Sequence, residues 1–215
     1  MKRVAVAIPL FEGVTALDAV GPYEVLQRVP SIDVTFVGKT KGEVRTENGM
    51  LGLAVDAALS EISAPDVLVF PGGHGTRKLL IDDEVLEWVR RVHRTTLFTT
   101  SVCTGSLVLA AAGLLKGLTA TGHWSAYADL ERQGVKAIPE RVVEHLPERI
   151  ITAAGVSAGI DMALRLVELL VDTTAAEAAA LMIEYDPQPP VTPGRMAGAS
   201  DHVVQRVVEY AGHRR

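Results

Sequence analysis

The chain has 215 residues, 48% of them hydrophobic, a net charge of −5 and a single cysteine. That length suits one domain with a sizeable core, and an acidic chain without a Lys/Arg block carries no electrostatic footprint for nucleic acid. One cysteine excludes an internal disulfide and any multi-cysteine metal site, and it is compatible with a reducing cytoplasm.

Residues 3–8, RVAVAI, form a compact β-branched run. The apolar stretch around it is short, contains Pro9 and is followed by no small-residue cleavage site, so a first strand is expected rather than a signal sequence. Residues 15–29 follow with helical spacing after Pro22, where Val25, Leu26 and Val29 share a face. A strand is predicted over 33–38, and Asn48-Gly49 between two extended runs signals a hairpin over 44–55. Residues 66–73 read as a buried strand ending in a Pro-Gly-Gly turn. Residues 82–94 read as a helix with acidic capping residues and Val85, Leu86, Val89 and Val92 on one stripe. A strand over 96–101 then runs into a turn at Cys103 and a helix from about Gly105 to Leu114.

Short strands are expected at 118–122 and 142–145, and a better one at 150–155. Apolar helices are predicted over 159–172 and 174–185. A proline-rich arm (186–199) leads to a last amphipathic helix with Val203, Val204, Val207 and Val208 turned inward. No repeat or domain boundary interrupts this order, so residues 1–215 read as one domain. No apolar segment approaches the roughly 20 residues that span a bilayer, and a cytoplasmic protein is the expectation.

Apolar strands alternating with helices imply a mainly parallel sheet covered on both faces. Ligands in such sheets sit beyond the carboxyl ends of the strands. Three segments rich in chemistry fall at predicted strand ends: 9–22, 71–76 and 101–106.

The order strand, Ser101-Val102-Cys103-Thr104-Gly105-Ser106, helix has the form of a nucleophile elbow. A thiol at a helix N-terminus is expected to have a lowered pKa. Free cysteine is also among the most buried residue types, so the elbow alone leaves Cys103 divided between nucleophile and core. Gly72 and Gly73 can present unblocked amides as an oxyanion hole needs, or simply end a strand. His74 reads as a base or as a solvated loop residue. Asp18, between Leu17 and Ala19, reads as an acid of raised pKa able to exchange protons with a substrate, or as a helix N-cap. Glu24 is consistent with surface charge. His123 and Trp124 read as a pocket wall or as packing.

Together the segments LDAVGPYEVL, VFPGGHGT, SVCTGSLVLAAAGLLKG, ATGHW and AAGVSAGIDMAL resemble the ThiJ/PfpI superfamily, in register over nearly the whole chain. The resemblance implies a flavodoxin-like α/β sandwich of the class I glutamine amidotransferase-like type, usually a homodimer, with Cys103 functional on a strained elbow. It calls for neither a metal nor an organic cofactor. Peptidase-like members carry histidine directly after the cysteine; Thr104 stands there, which argues against proteolysis. Deglycase-like members carry glutamate where this chain has Asp18. The pattern is most similar to the isonitrile hydratase branch, which implies a small-molecule substrate, an isocyanide. Cys103 would then be the nucleophile and Asp18 the acid, with the Gly73 and Thr104 amides polarising the intermediate. Gly72, His74, His123 and Trp124 would line the pocket. Two alternatives remain: a ligand-binding module related to the sensor half of AraC-type regulators, and glyoxalase-type activity on small dicarbonyls.

Overall fold

A computed structural model describes residues 3–192 and 194–212. The chain divides into two compact units, Met1–Ile183 and Glu184–Arg215. Four segments of the first unit feed the site. The strand β1 (Val4–Pro9) leads through residues 10–15 into helix α1 (Ala16–Leu26), and β2 (Ile32–Gly38) leads into the hairpin β3 (Gly42–Arg45) and β4 (Gly52–Val55). After β5 (Ala57–Ala58) comes β6 (Val67–Phe70), the Pro71-Gly72-Gly73 turn, a short helix α2 (Thr76–Leu79) and α3 (Asp83–His93). Next come β7 (Phe98–Val102), α4 (Gly105–Ala111), β8 (Thr119–Ala120), α5 (Tyr127–Arg132) and β9 (Lys136–Ala137). The unit closes with β10 (Val142–His145), β11 (Ile150–Ala153), α6 (Ala158–Leu170) and α7 (Thr173–Met182).

Seven strands form one sheet in the order β10-β11-β7-β6-β1-β2-β5. All neighbours are parallel except β10 and β11. Without the edge strands β10 and β5, the order is that of a flavodoxin-like sheet. Alternation along each strand sorts the core into two layers. Val6 and Ile8 of β1 pack with Val25 and Leu26 of α1 and with Met162 and Leu166 of α6. Ala7 faces the other way, into a layer built from Leu68, Phe70, Trp88, Val89 and Leu107. Every residue of β6 is buried, as expected for a strand covered on both faces.

The elements follow the sequence pattern with several differences. Helix α1 begins at Ala16 and runs through Pro22 rather than starting after it; Pro22 leaves the carbonyl four residues back without its helical partner, and that residue is Asp18. The short helices α2 and α5 and the two-residue strands β5 and β9 have no counterpart among the predicted elements, because so few residues carry little periodicity. In the second unit, helix α8 (Asp201–Gly212) has the predicted place. Its Val203, Val207 and Val208 are exposed rather than turned inward, with Val204 half-buried. An amphipathic stripe defines a face but does not supply a partner for it. None of the helices, among the described residues, is long and apolar enough to cross a membrane.

Candidate active site

Cys103 follows the last residue of β7 with φ of 59°. A non-glycine residue is held in this left-handed region only when its surroundings over-determine it, at a cost of about 1–3 kcal/mol. Here the Cys103 N–H donates to the carbonyls of Ala153 and Ala154 at 3.1 and 3.0 Å, and the Ser106 hydroxyl donates to the Cys103 carbonyl at 3.1 Å. The turn is therefore pinned from both ends. Gly105 is required by crowding: a side chain there would run into the Phe70 carbonyl.

Asp18 enters from the first turn of α1. The N-cap is Thr15, so Asp18 is no cap; it is wholly buried. Its Oδ2 accepts from the Gly72 N–H at 2.9 Å, while Oδ1 has no hydrogen-bond partner. The Gly72 turn is held in place by Thr15, whose N–H donates to the Gly72 carbonyl at 2.9 Å. A Cβ on Gly72 would lie 2.5 Å from the Thr104 nitrogen and 2.8 Å from Asp18 Oδ2. Glycine is thus what allows the acid, the Thr104 backbone and the β6 turn to converge.

Carboxyl and thiol act on one another across this small, buried space. Burial raises the Asp18 pKa to about 7, against the opposing pull of the Gly72 amide and the Cys103 thiol; the Glu47 carboxylate adds a smaller upward push. This is the direction that the apolar surroundings of Asp18 predict. The thiol goes the other way from expectation. Burial first, and then the charge of Asp18, push the Cys103 pKa up, although the backbone amides of Thr104 and Val156 hydrogen-bond the sulfur and favour its anion. Cys103 is only 4% exposed, and the desolvation of an anion beside a carboxylate outweighs two amide bonds.

The remaining candidates separate into two groups. Thr104 is buried, and its hydroxyl accepts from the Gly73 N–H at 2.8 Å and donates to the Gly73 carbonyl at 3.1 Å. The Gly73 amide, expected to polarise an intermediate, is therefore already engaged by Thr104. Its place beside the sulfur is taken by the Val156 amide, which the sequence does not single out. Val156 sits at φ 45°, unusual for a β-branched residue; the GVSAGID segment is the only signal of it. His123 is half-buried, with its ring against the Cα of Gly155, one residue from Val156. Its Nδ1 lies 2.7 Å from Ser125 Oγ, and the Trp124 ring centre is 5.1 Å away. His74 is exposed; its N–H donates to Glu47 Oε1 at 3.1 Å, and its Nε2 lies 3.8 Å from the same oxygen. Glu24 pairs with Arg28, four residues on and just past the end of α1, and is not brought to the site.

Residues 2–169 match the model of the DJ-1/PfpI family. The chain belongs to this family. It is 38% identical over 195 residues to an isonitrile hydratase of Pseudomonas putida, covering 91% of this chain and 84% of that protein. A crystal structure of a ThiJ/PfpI family protein from Pseudomonas syringae superposes with a TM-score of 0.91 at 36% identity, covering 99% of this chain and 88% of that one. A glutathione-independent glyoxalase of Caenorhabditis elegans is 26% identical over 141 residues, which is 65% of this chain and 74% of that protein.

Proposed function

We propose that the chain hydrates isonitriles to N-substituted formamides, with Cys103 as nucleophile and Asp18 as the proton carrier. The observation that carries this reading is the pairing of a neutral-leaning carboxyl with a neutral-leaning thiol in one buried site. An isonitrile carbon must gain a proton before it accepts a nucleophile, and a pKa near the working pH suits a group that gives and recovers that proton.

The sequence of steps balances. Protonated Asp18 delivers its proton to the isonitrile carbon while the sulfur forms the C–S bond, and the thiol proton passes to the carboxylate. The product is a thioimidate, R–N=CH–S–Cys103, with Asp18 again protonated. Because a free thiolate is disfavoured beside Asp18, attack and proton transfer proceed together. The Thr104 and Val156 amides stabilise the charge that gathers on sulfur as its proton leaves. Water then adds across the C=N bond, oxygen to carbon and hydrogen to nitrogen, with Asp18 relaying the proton. Collapse of the tetrahedral adduct breaks the C–S bond, moves the hydroxyl proton to sulfur through Asp18 and releases R–NH–CHO. Two easier additions replace one difficult one.

The similarity to an isonitrile hydratase over most of both chains supports the substrate class. The test incubates the purified protein with cyclohexyl isocyanide and follows the formamide by chromatography, beside Cys103→Ala and Asp18→Asn. Formamide from wild type and none from either variant is the expected result. No formamide from a wild-type sample whose thiol is still alkylatable overturns the reading. Methylglyoxal is then the next substrate, in view of the glyoxalase relative.

A further inference from the structure

A cavity of about 340 Å³ lies away from Cys103, and none of its lining residues belongs to the catalytic set. It opens where β1 and β2 end, between the β3–β4 hairpin and helices α2 and α3. Leu59, Phe70, Leu79, Val85 and Trp88 form its apolar floor, all from the core layer on the α3 side of the sheet. Phe11 stacks on Phe70 with ring centres 6.0 Å apart, so one wall is a flat aromatic surface. The polar atom of Trp88 is spent: its Nε1–H donates to the Ile62 carbonyl at 2.8 Å.

We propose that this cavity is a second small-molecule site, taking an uncharged ligand built on one apolar ring. Its volume falls within the range of roughly 300–1,000 Å³ typical of small-ligand pockets. The charge of the rim selects against ions. Lys39 bridges Asp82 and Glu84 at 2.8 and 3.0 Å, and Glu43 pairs with Arg45 at 2.6 Å. The two other charged residues of the lining, Glu12 and Lys78, have opposite signs. An ion of either sign gains at one of them and is repelled at the other, and it loses its hydration over an apolar floor.

The site shares a wall with the catalytic loop. Phe11, Glu12 and Gly75 line the cavity. Between them Gly13 accepts from the Gly75 N–H at 3.1 Å, and two residues on Thr15 holds Gly72, whose amide carries Asp18.

The test titrates the full chain with benzyl alcohol, benzylamine and benzoate, following amide and indole N–H resonances. Benzyl alcohol should give saturable shifts at Trp88 and Leu79, with half-saturation on the order of 1 mM as expected for so small a ligand. It should bind about fivefold more tightly than either ion. Binding should persist in Cys103→Ala, which keeps the outcome separate from the fate of the isonitrile reading. Val44→Trp, which fills the cavity from the half-buried face of the hairpin, should abolish it. Unsaturable shifts in wild type, equal or tighter binding of a charged analogue, or shifts confined to Gly72 and Cys103 and lost on alkylation would each overturn the proposal. These wild-type arms decide it even if Val44→Trp fails to fold.

Discussion

Asp18→Asn should make the protein more stable, and the gain should depend on pH. In the unfolded chain the carboxyl titrates near 3.8; in the folded chain burial raises it to about 7. Between those values the folded state holds a proton that the unfolded state has released, so stability falls as pH rises through this window. A one-unit difference in pKa is worth about 1.4 kcal/mol, so the gap of about three between the two states corresponds to about 4 kcal/mol lost by wild type between pH 4 and pH 8. Asparagine keeps the shape and lets its carbonyl oxygen accept from the Gly72 N–H, but it cannot ionise. Urea unfolding of both proteins at intervals from pH 4 to pH 8 measures the effect. The two should be similar in stability at pH 4, diverge in favour of Asp18→Asn as pH rises from 4 to 7, and differ by a constant amount above that. The Cys103 thiol, with its pKa raised, titrates above this window and does not blur it. A difference that stays flat across the range would refute the account of Asp18 as a destabilised buried carboxyl.

Alkylation of Cys103 by iodoacetamide should be slow at pH 7.5 compared with a free thiol, because its anion is disfavoured there. Asp18→Asn should speed it by about tenfold through loss of the repelling charge, and mass spectrometry of the labelled peptide measures the rate. Glu47→Gln removes a smaller repulsion on Asp18, so the midpoint of the pH-dependent stability loss should move to lower pH by less than one unit. Gly72→Ala places a methyl group 2.5 Å from the Thr104 nitrogen and should cost about 1–3 kcal/mol in urea unfolding, with formamide production lost. Thr104→Val orphans the buried Gly73 N–H and should cost about 1–3 kcal/mol, whereas Thr104→Ser should restore most of it.

Part of the site is legible in the sequence. Asp18 announces itself as an acid in a mostly apolar segment past a strand and Cys103 as the single cysteine at a strand-to-helix turn, and the Gly72 and Gly105 positions mark close backbone approach. The direction of the thiol's pKa is not legible. The elbow suggests a helix terminus that favours the anion, but only three-dimensional packing shows Asp18 and full burial acting on the same sulfur. The Gly73 amide illustrates a second limit. A glycine after a strand predicts an available N–H, yet the Thr104 hydroxyl, 31 residues away, has taken it. Val156 shows the converse, since a backbone donor carries no signature in its own side chain.

The sequence by itself determined the layered α/β architecture. Strand and helix periods are local, buried strands must be apolar throughout, and the hairpin and the Pro-Gly-Gly turn require residues with few substitutes. Only the tertiary structure decided which polar groups meet. Asp18, Gly72, Cys103 and Val156 come from four strand ends that lie side by side because β1, β6, β7 and β11 are neighbours in one sheet. Glu47 and the second cavity depend on how the hairpin lies over the ends of β1 and β2. Electrostatics and desolvation act through space, and the distances that govern them exist only once the chain has folded.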